Sequence, residues 1–221
     1  MNATVILPVK RFARAKIRLL GDEIGPPERA ALLRAMLADV LHATGAAESV
    51  ERLIIVTGEG RAERIALDAA KRIATPLEVL RDPADPGHSE AATLGIVRAR
   101  SHGARCAALL PGDCPLLRAE ELDGALDRLE DGAVAVVPDR HGTGTNALLM
   151  APADAIGPAF GPGSCERHLD RARRAGWRAS IERLPSLALD LDTPHDLAAL
   201  RDRLAADADA APATARALAE L

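Results

Sequence analysis

There is no tyrosine in this chain, and its 221 residues include only two phenylalanines and one tryptophan. The core must therefore be aliphatic, and an apolar fraction of 48% is ample to build one. Proteins that hold single-stranded nucleic acid stack its bases on aromatic rings, and this chain has almost none to offer. A net charge of −4 likewise excludes a broad surface for a phosphate backbone. Cysteine is scarce: Cys106, Cys114 and Cys165 are odd in number and lack C-x-x-C spacing. That excludes a disulfide framework or a zinc ribbon and suits a reducing compartment. No apolar run is long enough to span a membrane, and no basic-then-apolar leader opens the chain. A cytoplasmic protein that binds neither membrane nor nucleic acid is expected.

Strand and helix signals alternate along the chain. Strands are predicted at 4–9, 52–58, 76–82, 105–113, 133–139, 145–152 and 187–192, with a short one within 177–185. Between them, 26–45 reads as a helix that opens on two prolines and closes on Gly45, with an apolar stripe at helical spacing. Further helices are predicted over 60–73, 90–103, 119–129 and 164–175, and from Pro194 onward. This alternation predicts one α/β domain over 1–205, its mostly parallel central sheet covered by helices on both faces. Residues 206–221 read as a weakly specified Ala-rich tail. In such folds ligands bind beyond the carboxyl ends of the strands. The loops after Val9, Thr57, Leu80, Leu110, Val137 and Leu191 are therefore where chemistry is expected.

The first of these loops lacks the glycines that cradle phosphates in Rossmann and P-loop proteins. It carries Lys10, Arg11, Arg14, Lys16 and Arg18 within nine positions instead. Cationic side chains can replace backbone N–H groups as phosphate ligands. Lys10 and Lys16 are the first choices for that role, with Arg14 and Arg18 beside them. A solvated basic face is the alternative.

Asp113 ends the fourth strand in "LLPGDCP". In "LALDLDTP", strand alternation would put Asp190 and Asp192 on one face. Two carboxylates there are costly to bury unless a cation offsets them. Thr193, Pro194 and Asp196 already supply a helix start, which leaves Asp192 free. Asp113 with Asp192, and Asp190 in reserve, would suit magnesium, whose shell phosphate oxygens complete.

"DRHGTGTN" carries Arg140, His141, Thr143, Thr145 and Asn146, more polar groups than a hairpin turn needs. In "FGPGSCERH", Gly161 and Gly163 precede Ser164, a good N-cap residue, with Arg167 and His168 adding positive charge one turn in. A helix N-terminus between glycines can hold an anion. Two anion sites and a two-carboxylate metal site along one sheet edge would suit a reaction between two phosphorylated compounds.

The stretches "LPVKRFARAKIRL", "ERAALLRAMLADVL", "LLPGDCPLL", "DRHGTGTNALL", "FGPGSCERH" and "LALDLDTPHDL" resemble, in order and over nearly the whole chain, one enzyme family. It is that of the 2-phospho-L-lactate and phosphoenolpyruvate guanylyltransferases of deazaflavin coenzyme F-420 biosynthesis. More distantly the chain resembles the molybdenum-cofactor nucleotidyltransferases and sugar-nucleotide transferases. The resemblance implies a Rossmann-like nucleotidyltransferase (GT-A-like) domain. It implies transfer of GMP from GTP to the phosphate of a three-carbon acid, with magnesium, release of diphosphate and hand-off of the product to a following transferase. Phosphoenolpyruvate is the favoured acceptor, ahead of 3-phosphoglycerate and 2-phospho-L-lactate. Thr145, Gly161 and Ser164 carry over as acceptor ligands, and Asp113 and Asp192 as metal ligands. The chain departs from the family in having Gly112 and Cys114 around Asp113, and in its "PGHSEAATLG" loop. Another nucleotidyltransferase of the molybdenum-cofactor type, or a non-catalytic nucleotide-binding protein, are the competing readings.

Overall fold

In a computed structural model of the protein, which describes residues 2–12, 16, 19, 24–85 and 87–221, seven strands form one sheet. They are β1 (Ala3–Val9), β2 (Val50–Thr57), β3 (Leu77–Arg81), β4 (Ala107–Leu109), β5 (Ala133–Pro138), β6 (Thr145–Ala151) and β7 (Arg178–Ile181). Their order across the sheet is β3-β2-β1-β4-β6-β5-β7. Every pairing is parallel except those of β6, which runs antiparallel to both β4 and β5.

Among the described residues the α-helices are α1 (Pro26–Ala46), α2 (Gly60–Ala69), α3 (His88–Ser101), α4 (Ala119–Arg128), α5 (Ser164–Arg174), α6 (Pro194–Ala206) and α7 (Pro212–Ala219). Strand alternation distributes the core between two layers. Val5, Leu7, Leu53, Ile55, Ala135 and Leu149 pack with α1, α2, α4 and α6 on one face. Ile6, Ile54, Val56, Leu109, Val136 and Leu148 pack with α3 and α5 on the other. Strands buried on both faces read as continuous apolar runs, which is why "TVILPV" and "AVAVV" stand out in the sequence. Among the described residues no helix is long and apolar enough to cross a membrane.

Four sequence expectations change here. The segment 187–192 is not a strand: a 3-10 turn at Pro185–Leu187 leads into irregular backbone before α6. The Asn146 amide donates to the Leu187 carbonyl at 2.6 Å and so holds this segment against the start of β6. β4 is shorter than 105–113, with only Ala107–Leu109 in the ladder. Gly45 does not end α1 but lies within its last turn, where a Cβ would come within 2.7 Å of the Ile73 side chain. Its smallness permits close packing. The Ala/Asp-rich segment after residue 206 forms a 3-10 turn, Ala208–Ala210, and then α7, which packs on α1. The buried Asp39 of α1 accepts the backbone N–H groups of Ala213 (3.0 Å) and Thr214 (2.7 Å) at the first turn of α7.

From β1 the chain builds outward through β2 and β3, then crosses to the other side of β1 with β4. The strand order reverses at β1 and β4, and a crevice beyond their carboxyl ends is where this architecture places ligands.

Candidate active site

Two adjoining cavities open at that crevice. The smaller, about 220 Å³, lies between the end of β1, the β4–α4 loop and α1, whose Leu33 and Leu37 form its apolar wall with Phe12. The larger, about 740 Å³, lies toward the β5–β6 hairpin and the loop into α5. Lys10, His88, Pro111, Asp113 and Asp192 line both, so the two spaces meet at these residues.

Asp113 follows β4, and Asp192 immediately precedes Thr193, the N-cap of α6. Asp196 completes that cap: its Oδ2 accepts the N–H groups of Asp192 (3.0 Å) and Thr193 (2.7 Å). Asp192 is therefore oriented through its backbone, and the cap leaves its carboxylate facing the crevice. The Lys16 ammonium sits between the two carboxylates, 2.6 Å from Asp113 Oδ2 and 2.6 Å from Asp192 Oδ1. Burial alone would lower the Lys16 pKa, but Asp113 and then Asp192 outweigh it and the net shift is upward, so the group stays charged. Asp190 lines the larger cavity. Its carboxyl is raised to about 6, by burial first and by the charge of Asp113 second, with Lys16 opposing.

Not every basic residue of the first loop faces the crevice. Lys10 lines it, whereas the Arg11 guanidinium donates to the Pro83 carbonyl at 2.9 Å. Arg14 and Arg18 lie outside the described residues.

Thr145, Gly161 and Ser164 line the larger cavity together. Arg140 and His141 do not join them. The Arg140 guanidinium pairs with Asp196 at 2.5 Å, and its Nε donates to His141 Nε2 at 3.0 Å. The hairpin arginine thus braces the start of α6 instead of reaching for a ligand.

Ser164 is not the N-cap of α5. That position belongs to Gly163, in the left-handed region at φ 70°, where a glycine avoids the Cβ penalty. The buried Ser164 hydroxyl donates instead to Thr145 Oγ1 at 3.0 Å. His168 corrects the expectation of a positive charge. It is fully buried, and its pKa falls to about 4, through burial first and then the nearby charges of Arg171 and Arg167. At neutral pH it is an uncharged imidazole.

The sequence puts His88 in the loop after the third strand, as a weak sign of a place for a nucleobase; in the structure it is the first residue of α3 and lines both cavities. Burial, chiefly, lowers its pKa to about 4; Lys10 and Lys16 add to the fall and Asp113 opposes it. Its ring meets Phe160 edge-on, 4.7 Å between centroids, and Phe160 meets His168 edge-on at 5.2 Å. The Phe160 N–H donates to Ser89 Oγ at 3.0 Å, so the loop before α5 is fastened to the start of α3. Cys114, next to Asp113, is fully buried with its thiol pushed well up by burial, so it is no nucleophile at neutral pH.

Two cavities thus meet at Lys10, Asp113 and Asp192, with Lys16 paired to both carboxylates, and comparison with known proteins gives the family. The family described as guanylyl transferase CofC like matches residues 3–201. This chain belongs to that family. A phosphoenolpyruvate guanylyltransferase of Conexibacter woesei is 44% identical over 207 residues, 93% of this chain and 90% of its own. A 3-phospho-D-glycerate guanylyltransferase of Phenylobacterium zucineum is 36% identical over 197 residues, 88% of this chain and 87% of its own. Among solved structures, a candidate nucleotide-diphospho-sugar transferase from Desulfovibrio desulfuricans superposes with a TM-score of 0.70 at 19% identity, covering 100% of this chain and 95% of that one. That likeness is one of fold: a single nucleotidyltransferase-type domain around a mostly parallel sheet.

Proposed function

We propose that this CofC-family guanylyl transferase moves GMP from GTP to the phosphate of phosphoenolpyruvate, releasing diphosphate, as a step in coenzyme F-420 biosynthesis. The observation that carries the reading is the meeting of the two cavities at Lys10, Asp113 and Asp192. In this reading GTP occupies the smaller space and extends its phosphates to the meeting point, and the acceptor acid occupies the larger. Thr145, Gly161 and Ser164 contact the acceptor; Lys10 and Lys16 face the triphosphate.

An acceptor phosphate monoester has a second pKa of about 6 and is ionised at neutral pH. Its oxygen can attack the α-phosphorus as the bond to diphosphate breaks, and no proton has to be removed. The chain's task is then to align two anions and offset their charge, which needs positioned cations and not a general base. Proximity of the two spaces, with Lys10 at their junction and Lys16 beside it in the smaller one, supports that division of labour.

Magnesium suits the donor set. The Lys16 ammonium lies 2.6 Å from both Asp113 and Asp192, at a point that suits a cation; magnesium held there would take its place and release Lys16 toward the triphosphate. Two carboxylate oxygens with phosphate oxygens and water completing the shell is a preferred magnesium environment. Asp113 and Asp192 would hold the ion, with Asp190 behind them. When bound, it would neutralise charge on the triphosphate. The product, a mixed anhydride of two phosphates, would pass to a following transferase.

A diphosphate-release assay with GTP, magnesium and each of phosphoenolpyruvate, 3-phosphoglycerate and 2-phospho-L-lactate tests the proposal. Phosphoenolpyruvate is expected to give the highest kcat/KM. Preference for another acid would reassign the acceptor, and no release with any of the three would refute guanylyl transfer.

A further inference from the structure

The buried imidazole of His168 sits behind the acceptor cavity and reaches no ligand itself. It has two partners. Its Nε2 lies 2.8 Å from the backbone nitrogen of Ala159, and its Nδ1 lies 3.0 Å from Thr145 Oγ1. An amide N–H can only donate, so Nε2 must be the acceptor. A neutral imidazole has one donor and one acceptor nitrogen, and the network therefore puts the proton on Nδ1. A charged ring would point a second N–H at the Ala159 amide, and burial opposes that form as well.

The consequence falls on Thr145. Its Oγ1 accepts from His168 Nδ1 and from the Ser164 hydroxyl, both at 3.0 Å. A hydroxyl has two lone pairs and one proton. With both lone pairs engaged, only the proton is left, and among the described residues no acceptor takes it. Thr145 lines the larger cavity. We infer that His168 is a positioning residue: the Ala159 amide locks it as the Nδ1–H tautomer, and with Ser164 it turns the Thr145 hydroxyl proton into the cavity as a donor to the acceptor's anionic group. Without the ring's donor, the hydroxyl could rotate and present a lone pair to an anion, which repels it. This assignment rests on the larger cavity being the acceptor site.

Two substitutions separate the ring's two bonds. His168→Gln keeps an acceptor near the Ala159 amide and loses the donor to Thr145. His168→Asn places an amide nitrogen near the Nδ1 position and keeps that donor. A hydrogen bond to a charged group carries enough energy for about a tenfold or larger effect when lost. His168→Gln is therefore expected to raise the KM for the acceptor acid about tenfold and leave the KM for GTP within about twofold. Thr145→Val should do the same, and the double variant His168→Gln/Thr145→Val should be no worse than Thr145→Val alone, since both act through one hydrogen bond. His168→Asn should recover most of the loss. Equal rises in both KM values, or additive effects in the double variant, would reduce His168 to a packing residue and overturn the inference. A second measurement needs no variant: ring ¹⁵N shifts of His168 in the wild-type protein should show a protonated Nδ1 and a bare Nε2, and the opposite tautomer or a charged ring overturns the inference. Wild-type protein that releases no diphosphate would refute the guanylyl-transfer reading, and this inference with it. An active wild type with an unaltered His168→Gln variant would refute the inference alone.

Discussion

Folding this protein places His168 where it refuses a proton, and that has a measurable cost in acid. Its folded pKa is about 4, against about 6.5 for an unfolded histidine. Because the folded value is the lower one, the unfolded chain binds a proton first as the pH falls. Stability from this group is complete above pH 6.5, declines between 6.5 and 4, and falls no further below that. At pH 4.5 the two states differ about eightyfold in their proton-binding factors, or about 2.5 kcal/mol. That figure is an upper bound, because salt screens the share contributed by Arg171 and Arg167. Other groups titrate in the same window. His88, also lowered to about 4, adds a loss of the same sign. Asp190, raised to about 6, works oppositely: the folded state takes up its proton first, so its contribution becomes more favourable as the pH falls through 6 toward 4. The wild-type curve is thus a composite, and only a difference isolates His168. Urea unfolding of wild type and His168→Gln, followed by circular dichroism at pH 7.5 and 4.5, supplies it. The wild type should be the more stable at pH 7.5, and its advantage should shrink by up to about 2.5 kcal/mol at pH 4.5. An advantage that is the same at both pH values would refute the buried, neutral imidazole.

Two further perturbations test other parts of the molecule. Asp113→Asn removes one of the two charges that face Lys16; turnover should drop about a hundredfold or more while the thermal unfolding transition stays cooperative, and retained turnover would remove Asp113 from the reaction. Asp39→Ala leaves the Ala213 and Thr214 amides without their acceptor; a loss of about 1–3 kcal/mol is expected, with hydrogen exchange accelerated in α7 ahead of β1 and β2, and uniform acceleration would contradict it.

The fold was legible in the sequence because its signals are local. Leu32, Leu33, Met36, Leu37, Val40 and Leu41 spell a helix face, and all six are buried in α1. The double-sided burial of β1, β2 and β5 writes itself as unbroken apolar runs. Thr193 and Asp196 announced the start of α6 and form a reciprocal cap there. What escaped was set by distant partners. "LALDLD" alternates like a strand, but it is anchored by Asn146 at Leu187 and takes no place in the sheet. Arg140 has the chemistry of an anion ligand, and Asp196, 56 positions away in sequence, claims it. His168 looks cationic by residue type, and only the tertiary approach of the Ala159 amide and the loss of solvent make it neutral. Among the residues where the two cavities meet, Lys10, Asp113 and Asp192 were nearer to hand, since they occupy the strand-end loops that a parallel sheet exposes to ligands.

The bond between α1 and α7 bears on how the last helix can change. Asp39 recognises main-chain N–H groups, so no side chain of the alanine-rich segment is needed to receive it. One carboxylate 174 positions upstream therefore fastens the first turn of α7, beside the packing of Ala215, Ala217 and Leu218 on the core. Residues of α7 are free to drift as long as they remain helical and small enough to lie on α1, whereas a change at Asp39 would unfasten the segment without altering a letter of it. Because Leu33 and Leu37 of the same α1 form a wall of the smaller cavity, the end of the chain is one helix away from the space proposed for the nucleotide, and a tag or truncation at the C-terminus is a perturbation at the back of that wall.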